Sequence, residues 1–150
     1  MGDYITIMFT DKLIAKYFKL AKKASEFSDY PNIHIGAICV YKHQVIAIGC
    51  NTLKSSPMQM RYNHYREKDN RDFDAYANTN SLHAEISCIS SIRSLDIDYS
   101  KVGIFIYREH KNGTTGLVKP CKACSKYSDD IGIKNWYYTT DDGYIYERRN

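Results

Sequence analysis

The sequence predicts an α/β layered domain, with a mixed five-stranded sheet held between helices. Three observations carry this reading. Short, nearly continuous apolar runs over 35–41, 45–50 and 102–107 read as strands covered on both faces. A helical stripe precedes the first run, and a second lies between the later two, which makes a crossover unit. Two polar turn signals, Lys42-His43-Gln44 and Asp141-Asp142-Gly143, mark hairpins.

Each element has its own justification. Residues 11–24 place Leu13, Ile14, Tyr17, Leu20, Ala21 and Ala24 on one helical face, with Lys12, Lys16, Lys19, Lys22 and Lys23 outside it as a solvated side. Thr10 is the expected N-cap. The runs 35–41 and 45–50 then form a hairpin. A second helix is expected over 82–95, starting near Asn80 or Ser81, followed by a buried strand over 102–107. Cys121 to Asp130 reads as a third helix with Pro120 just ahead of it. Trp136–Thr139 and Tyr144–Tyr146 supply the last two strands, antiparallel because the short turn between them cannot hold a crossover. Residues 52–80 show no clear periodicity, and a loop of that length is usually functional.

The chain of 150 residues suits one domain over 1–150. Hydrophobic residues at 43% and charged residues at 25% argue for a folded protein. No apolar run approaches the ~20 residues needed to span a bilayer. The start, Met1-Gly2-Asp3-Tyr4, lacks the features of a secretory signal. It loosely fits a myristoylation pattern, a match that is short and frequent by chance. A net charge of +4, from 21 basic and 17 acidic residues, is too mild for the concentrated basic face of a nucleic-acid binder. The odd count of five cysteines (Cys39, Cys50, Cys88, Cys121, Cys124) points to a reducing cytoplasm and to free or metal-bound thiols.

The residues that carry chemistry are His83-Ala84-Glu85 and Pro120-Cys121-Lys122-Ala123-Cys124. One imidazole and two thiolates are ligand types that zinc prefers. Cys121 and Cys124, three apart at a helix start, can share one face. His83 and Glu85 point about 200° apart around a helix, so they can converge only at its open N-terminus. Three protein ligands leave a fourth zinc position for water, the mark of a catalytic rather than a structural site. A carboxylate that does not bind the metal can then shuttle protons, and Glu85 is the candidate. The plainer alternative for Glu85 is a first-turn acid favoured by the helix dipole.

These motifs resemble those of the zinc-dependent cytidine and deoxycytidylate deaminase superfamily, whose signature is His-x-Glu followed by Pro-Cys-x-x-Cys. The likeness in element order extends over roughly residues 10–147. It implies the three-layer cytidine-deaminase-like fold, with zinc held by His83, Cys121 and Cys124 and protons shuttled by Glu85. It implies a hydrolase acting on C–N bonds of cyclic amidines, in which hydroxide attacks C4 of cytosine and ammonia leaves. Asn51, directly after the second strand, falls where the superfamily often has an Asn touching the substrate, although it reads equally well as a turn residue. The backbone N–H groups of Ala84 and Cys121 are expected near the reacting base. The resemblance also implies a homo-oligomer.

Within the superfamily, the free-cytidine branch typically has Cys-Ala-Glu and Asn-x-Glu, where this chain has His83-Ala84-Glu85 and Asn51-Thr52-Leu53. The tRNA branch usually has Asp-Pro before its His, where this chain reads Asn78-Thr79-Asn80-Ser81-Leu82. Residues 52–80 hold His64 but no Cys, which argues against a second zinc there. Lys54, Arg61, Arg66, Lys68 and Arg71 could serve a phosphate, and Met58, Met60, Tyr62, Tyr65, Phe73 and Tyr76 a base. An irregular lid packed by its own aromatics is the plainer reading. The expected substrate is a free cytosine nucleoside or nucleotide, with no membrane involved. Two alternatives stand beside it. One is a base within single-stranded nucleic acid or tRNA. The other is a non-catalytic structural zinc module with Cys88 as fourth ligand, which the position of Cys88 about 140° round the helix from His83 opposes. Cys39, Cys50 and Cys88 are expected to be buried apolar residues.

Overall fold

The computed structural model describes residues 9–68, 81–110, 112–116 and 120–149. Helix α1 spans Asp11–Ser25 and begins where expected, with Thr10 Oγ1 accepting the Leu13 N–H at 3.2 Å. It buries Ile14, Tyr17, Ala21 and Ala24 and leaves all five of its lysines exposed. Strands β1 (Ile35–Tyr41) and β2 (Gln44–Cys50) form the first hairpin. Tyr41 pairs with Gln44, and the turn residues Lys42 and His43 have φ of 50° and 63°, the left-handed pair that a tight twisted hairpin requires.

Beyond β2 come α2 (Pro57–Tyr62), a 3₁₀ continuation over Asn63–Lys68, and α3 (Ala84–Ser90). Strand β3 (Gly103–Arg108) leads to α4 (Lys122–Ile131), and β4 (Asn135–Thr140) with β5 (Gly143–Arg148) closes the chain. The sheet order is β2-β1-β3-β4-β5, with β3 and β4 parallel and the other neighbours antiparallel. Helix α1 covers one face, and α3 with α4 covers the other. The alternation along β3 serves both layers. Phe105 and Tyr107 pack toward α1, whereas Ile104 and Ile106 pack toward α3 and α4. The mixed sheet between helices is therefore as expected.

Several boundaries differ from expectation. The helix read over 82–95 is shorter, because residues 81–82 are held extended against the far side of the loop. Thr52 N–H donates to Leu82 O at 3.0 Å, Leu82 N–H to Lys54 O at 3.1 Å, and Ser55 bridges Ser81. At its other end Ser91 Oγ donates to the Cys88 carbonyl and the chain turns away. The stretch read as aperiodic contains α2, for which Ser56 is the N-cap and Pro57 the first residue. Strand β2 is not covered on both faces. It is an edge strand, with Ile48 63% exposed, and its last residue, Cys50, is only half-buried rather than buried. Gly143 opens β5 and pairs with Thr140, so the second turn consists of Asp141 and Asp142. Met1–Met8, with the signal and acylation readings, lie outside the described residues, as do Arg71, Phe73 and Tyr76. Among the described residues no helix is long and apolar enough to cross a membrane.

Candidate metal centre and active site

Two helix starts meet on one side of the sheet. His83 is the N-cap of α3, with extended backbone (φ −82°, ψ 151°), and Cys121 is the N-cap of α4 (φ −71°, ψ 167°). Because an N-cap side chain lies beyond the helical turns, both project past the ends of their helices. Cys124 sits three residues into α4, and its N–H donates to Cys121 Sγ at 3.5 Å. The expected convergence of the two motifs is what the backbone produces.

The three side chains form a compact triangle. His83 Nδ1 lies 3.3 Å from Cys124 Sγ and 3.4 Å from Cys121 Sγ, and the two sulfurs are 3.5 Å apart. Tetrahedral zinc with ordinary Zn–S and Zn–N bonds separates such atoms by about 3.6–3.8 Å. The donor set and its spacing therefore fit zinc with a slight expansion. Among the described residues this is the one group of three such side chains close enough to hold an ion. Cys88 is not part of it. Its thiol turns into the core and meets Cys39 Sγ at 3.3 Å, and both residues are fully buried, as expected.

The carboxylate of Glu85, 5% exposed, reaches the same place and hydrogen-bonds with the Cys124 thiol. Burial raises its pKa, and the nearby Cys121 thiolate adds to this, while the His83 imidazole works against it. The thiols divide. The hydrogen bond from Cys124, together with His83, brings Cys121 well below its ordinary value. Burial and the negative charge on Cys121 hold Cys124 well above it. Left to themselves, the two sulfurs and the carboxylate cannot all be anionic, whereas a divalent cation would let both thiolates form. Cys124 and Glu85 are buried and His83 and Cys121 half-buried, so access is from the side of the last two.

Asn51 is buried at the end of β2 with its side chain engaged. Its Oδ1 accepts from Ser28 Oγ at 2.6 Å and Ile35 N at 2.9 Å, and its Nδ2 donates to Ile33 O at 2.8 Å. Asn51 thus pins the entry to β1 and keeps one N–H beyond these bonds. Ala84 is the first residue of α3, where helix geometry leaves the N–H without a partner in its own helix. Of the loop residues, Tyr62 donates to Asp130 at 2.6 Å and packs on Tyr127. Tyr65 stacks near Tyr62, and His64 bonds the Arg61 carbonyl at 3.0 Å. This part of the loop packs on α4 through its own aromatics, the plainer of the two readings.

One residue the sequence reading passed over is Gln59. It is wholly buried, and its Oε1 accepts the backbone N–H of His83 at 3.0 Å. The available signal was Ser56-Pro57, an N-cap followed by a helix-opening proline, which would have placed a helical turn here.

Comparison with known proteins agrees with the fold and motifs. The dCMP deaminase of the cyanophage S-TIM5, in apo form, superposes with a TM-score of 0.60 at 22% identity, covering 88% of this chain and 86% of that one. The same enzyme in complex with dCMP and dUMP gives a TM-score of 0.60 at 20% identity, covering 87% and 82%. The cytidine deaminase of Burkholderia pseudomallei gives 0.60 at 18% identity, covering 93% of each chain. No curated protein matches the sequence. At these identities the structural likeness establishes the fold. The family described as the cytidine and deoxycytidylate deaminase zinc-binding region matches residues 11–140. On that match and the His83, Glu85, Cys121 and Cys124 arrangement it contains, the chain belongs to the cytidine and deoxycytidylate deaminase family.

Proposed function

We propose that this chain is a zinc-dependent hydrolytic deaminase of a free cytosine nucleoside or nucleotide. The observation that carries the reading is the triangle of His83, Cys121 and Cys124 with the buried Glu85 carboxylate beside it. Three ligands with a proton carrier alongside are what catalysis needs, and a structural site would require a fourth ligand. Cys88, the suspected fourth, is committed to Cys39.

When bound, zinc supplies a Lewis-acidic centre with a free position, at which water becomes nucleophilic near neutral pH. The chain's own residues do the rest. His83 presents Nδ1 toward the sulfurs, and with Nδ1 holding the metal the other ring nitrogen would carry the proton. Glu85 takes a proton from the attacking water and returns it to the departing amino group. Burial of the carboxylate raises its pKa, the direction that favours the protonated form it must pass through. Overall, water replaces the amino group at C4, and ammonia leaves with uracil as the second product. The spare N–H of Asn51 would hold the substrate sugar or its neighbour, and the N–H groups of Ala84 and Cys121 would hold the base.

Two features favour a free substrate over a polymer. The antiparallel β4–β5 pair leaves no room for an inserted helix between those strands. The structurally similar phage enzyme has been seen with dCMP and dUMP. The same reading takes residues 1–150 as one domain, with 52–80 as the specificity segment. It also takes the protein as a cytoplasmic homo-oligomer, which the five free cysteines support as far as the reducing compartment goes.

The test is an ammonia-release screen of zinc-loaded protein against cytosine and adenine compounds offered as bases, nucleosides, nucleotides and short oligomers. Release from a free cytosine nucleoside or nucleotide is expected. Release from oligomers alone would replace this reading with the polynucleotide one.

A further inference from the structure

His83 is held from outside its own helix. As the N-cap of α3 its N–H has no helical acceptor, and the acceptor it finds is Gln59 Oε1, 24 residues earlier in the chain. Gln59 is 0% exposed, and its amide is bonded at both ends, with Nε2 donating to Asn63 Oδ1 at 2.7 Å. Its backbone is fixed as well. Gln59 N–H donates to Ser56 Oγ at 3.3 Å, and Gln59 O accepts the Asn63 N–H. The loop stem reaches the same spot, with Thr52 and Lys54 paired to Leu82, the residue before His83.

A buried amide is costly unless every end is satisfied. If Gln59 served packing alone, a methionine would fill the volume with no polar group to satisfy. The amide instead spends its acceptor on the backbone of a metal-ligand residue, and its donor ties that acceptor to α2. Fixing the N–H of His83 fixes the backbone from which its imidazole is aimed. Ligand geometry depends on such outer contacts, whose loss typically costs 10–100-fold in metal affinity or activity.

We propose that Gln59 is a positioning residue, which aims His83 Nδ1 at the two thiols and couples the metal centre to the helical segment 57–68. The inference rests on the zinc reading above. Gln59 contacts neither metal nor substrate, and acts through the backbone of His83.

The test uses the zinc-loaded full chain and a colorimetric chelator, 4-(2-pyridylazo)resorcinol, to follow zinc release, with the melting temperature of each variant measured alongside. Gln59→Met keeps the volume and removes the acceptor, and zinc release is expected to accelerate about ten-fold or more. Gln59→Glu in its neutral form offers the same acceptor and a hydroxyl donor, and is expected to restore release to within about three-fold of the original chain. Should Gln59→Met fail to fold, Asn63→Ala decides, since it frees the far end of the amide and is expected to accelerate release by a smaller factor. Unchanged release in a folded Gln59→Met variant overturns the inference. So does equal acceleration in the Met and Glu variants that tracks their melting temperatures. An original chain that holds no zinc defeats the zinc reading itself, a result distinguishable from either.

Discussion

The two faces of the sheet are built from different side chains, although the same strands make both. Toward α1 the strands present Ile38, Val40, Phe105, Tyr107 and Tyr137, which join Phe9 and Tyr17 in an aromatic layer. Phe105 stacks on Tyr137 with ring centroids 4.4 Å apart and planes within 5°. Toward α3 and α4 they present Ala37, Cys39, Ala47, Ile104, Ile106 and Trp136. Buried Gln59, Glu85 and Ser128 belong to this second side, each with polar partners. Aromatic rings bury large areas with little polar cost, so the α1 face supplies stability. On the other face the small Ala37, Cys39 and Ala47 let α3 approach the sheet beside larger residues such as Trp136, so that face also supplies position.

The largest expected separation of the two faces is catalytic. Glu85→Gln should lower kcat by about 10² to 10⁴ while zinc content is retained. Burial raises the folded pKa of Glu85, so its ionised form costs stability above the ordinary carboxylate range, and removing it should not lower the melting temperature. Comparable turnover in the variant would remove Glu85 from its role. On the opposite face, Phe105→Ala should cost about 3–5 kcal/mol in urea unfolding. Zinc per folded chain should stay the same, and a parallel loss of zinc would mean the faces are not separable.

Two glycines on neighbouring strands sharpen the contrast. A Cβ on Gly36 would come within 2.5 Å of Ser25 N in α1, whereas one on Gly49 would lie 2.7 Å from Cys88 N and 2.8 Å from Ala84 O in α3. Each alanine substitution should destabilise by about 1–3 kcal/mol. Gly36→Ala is expected to leave zinc release unchanged, and Gly49→Ala to accelerate it, because α3 carries His83. The smallest effect belongs to the loop stem, where Thr52 Oγ1 is buried with no hydrogen-bond partner among the described residues. Thr52→Val removes a hydroxyl that makes no bond to the described residues, so stability should be unchanged or raised by up to about 1 kcal/mol. A loss beyond that would reveal a bond the hydroxyl makes.

Legibility in the sequence followed the same physical lines. Helix α1 and the strands announced themselves because long faces such as Ile14, Tyr17 and Ala21 repeat at a helical period, and because strand runs are short and continuous. The candidate site residues were legible because His, Glu and paired Cys at fixed spacing are few and chemically distinct. Helix α2 has six residues, too few for periodicity, and Gln59 carries no reactive group to draw attention. The end of α3 was overestimated because Ile92 is buried in register with the helix although the chain has already turned. Asn51 reads alike as turn residue or substrate contact, and its three bonded partners come from the fold rather than from sequence neighbours.

X-ray absorption at the zinc edge, on the full chain loaded with zinc, measures the ligand set most directly. Two sulfurs at about 2.3 Å and two lighter atoms at about 2.0–2.1 Å are expected, the second light atom filling the position that His83, Cys121 and Cys124 leave open. A shell of three or four sulfurs, or a chain that takes up no zinc, would contradict it.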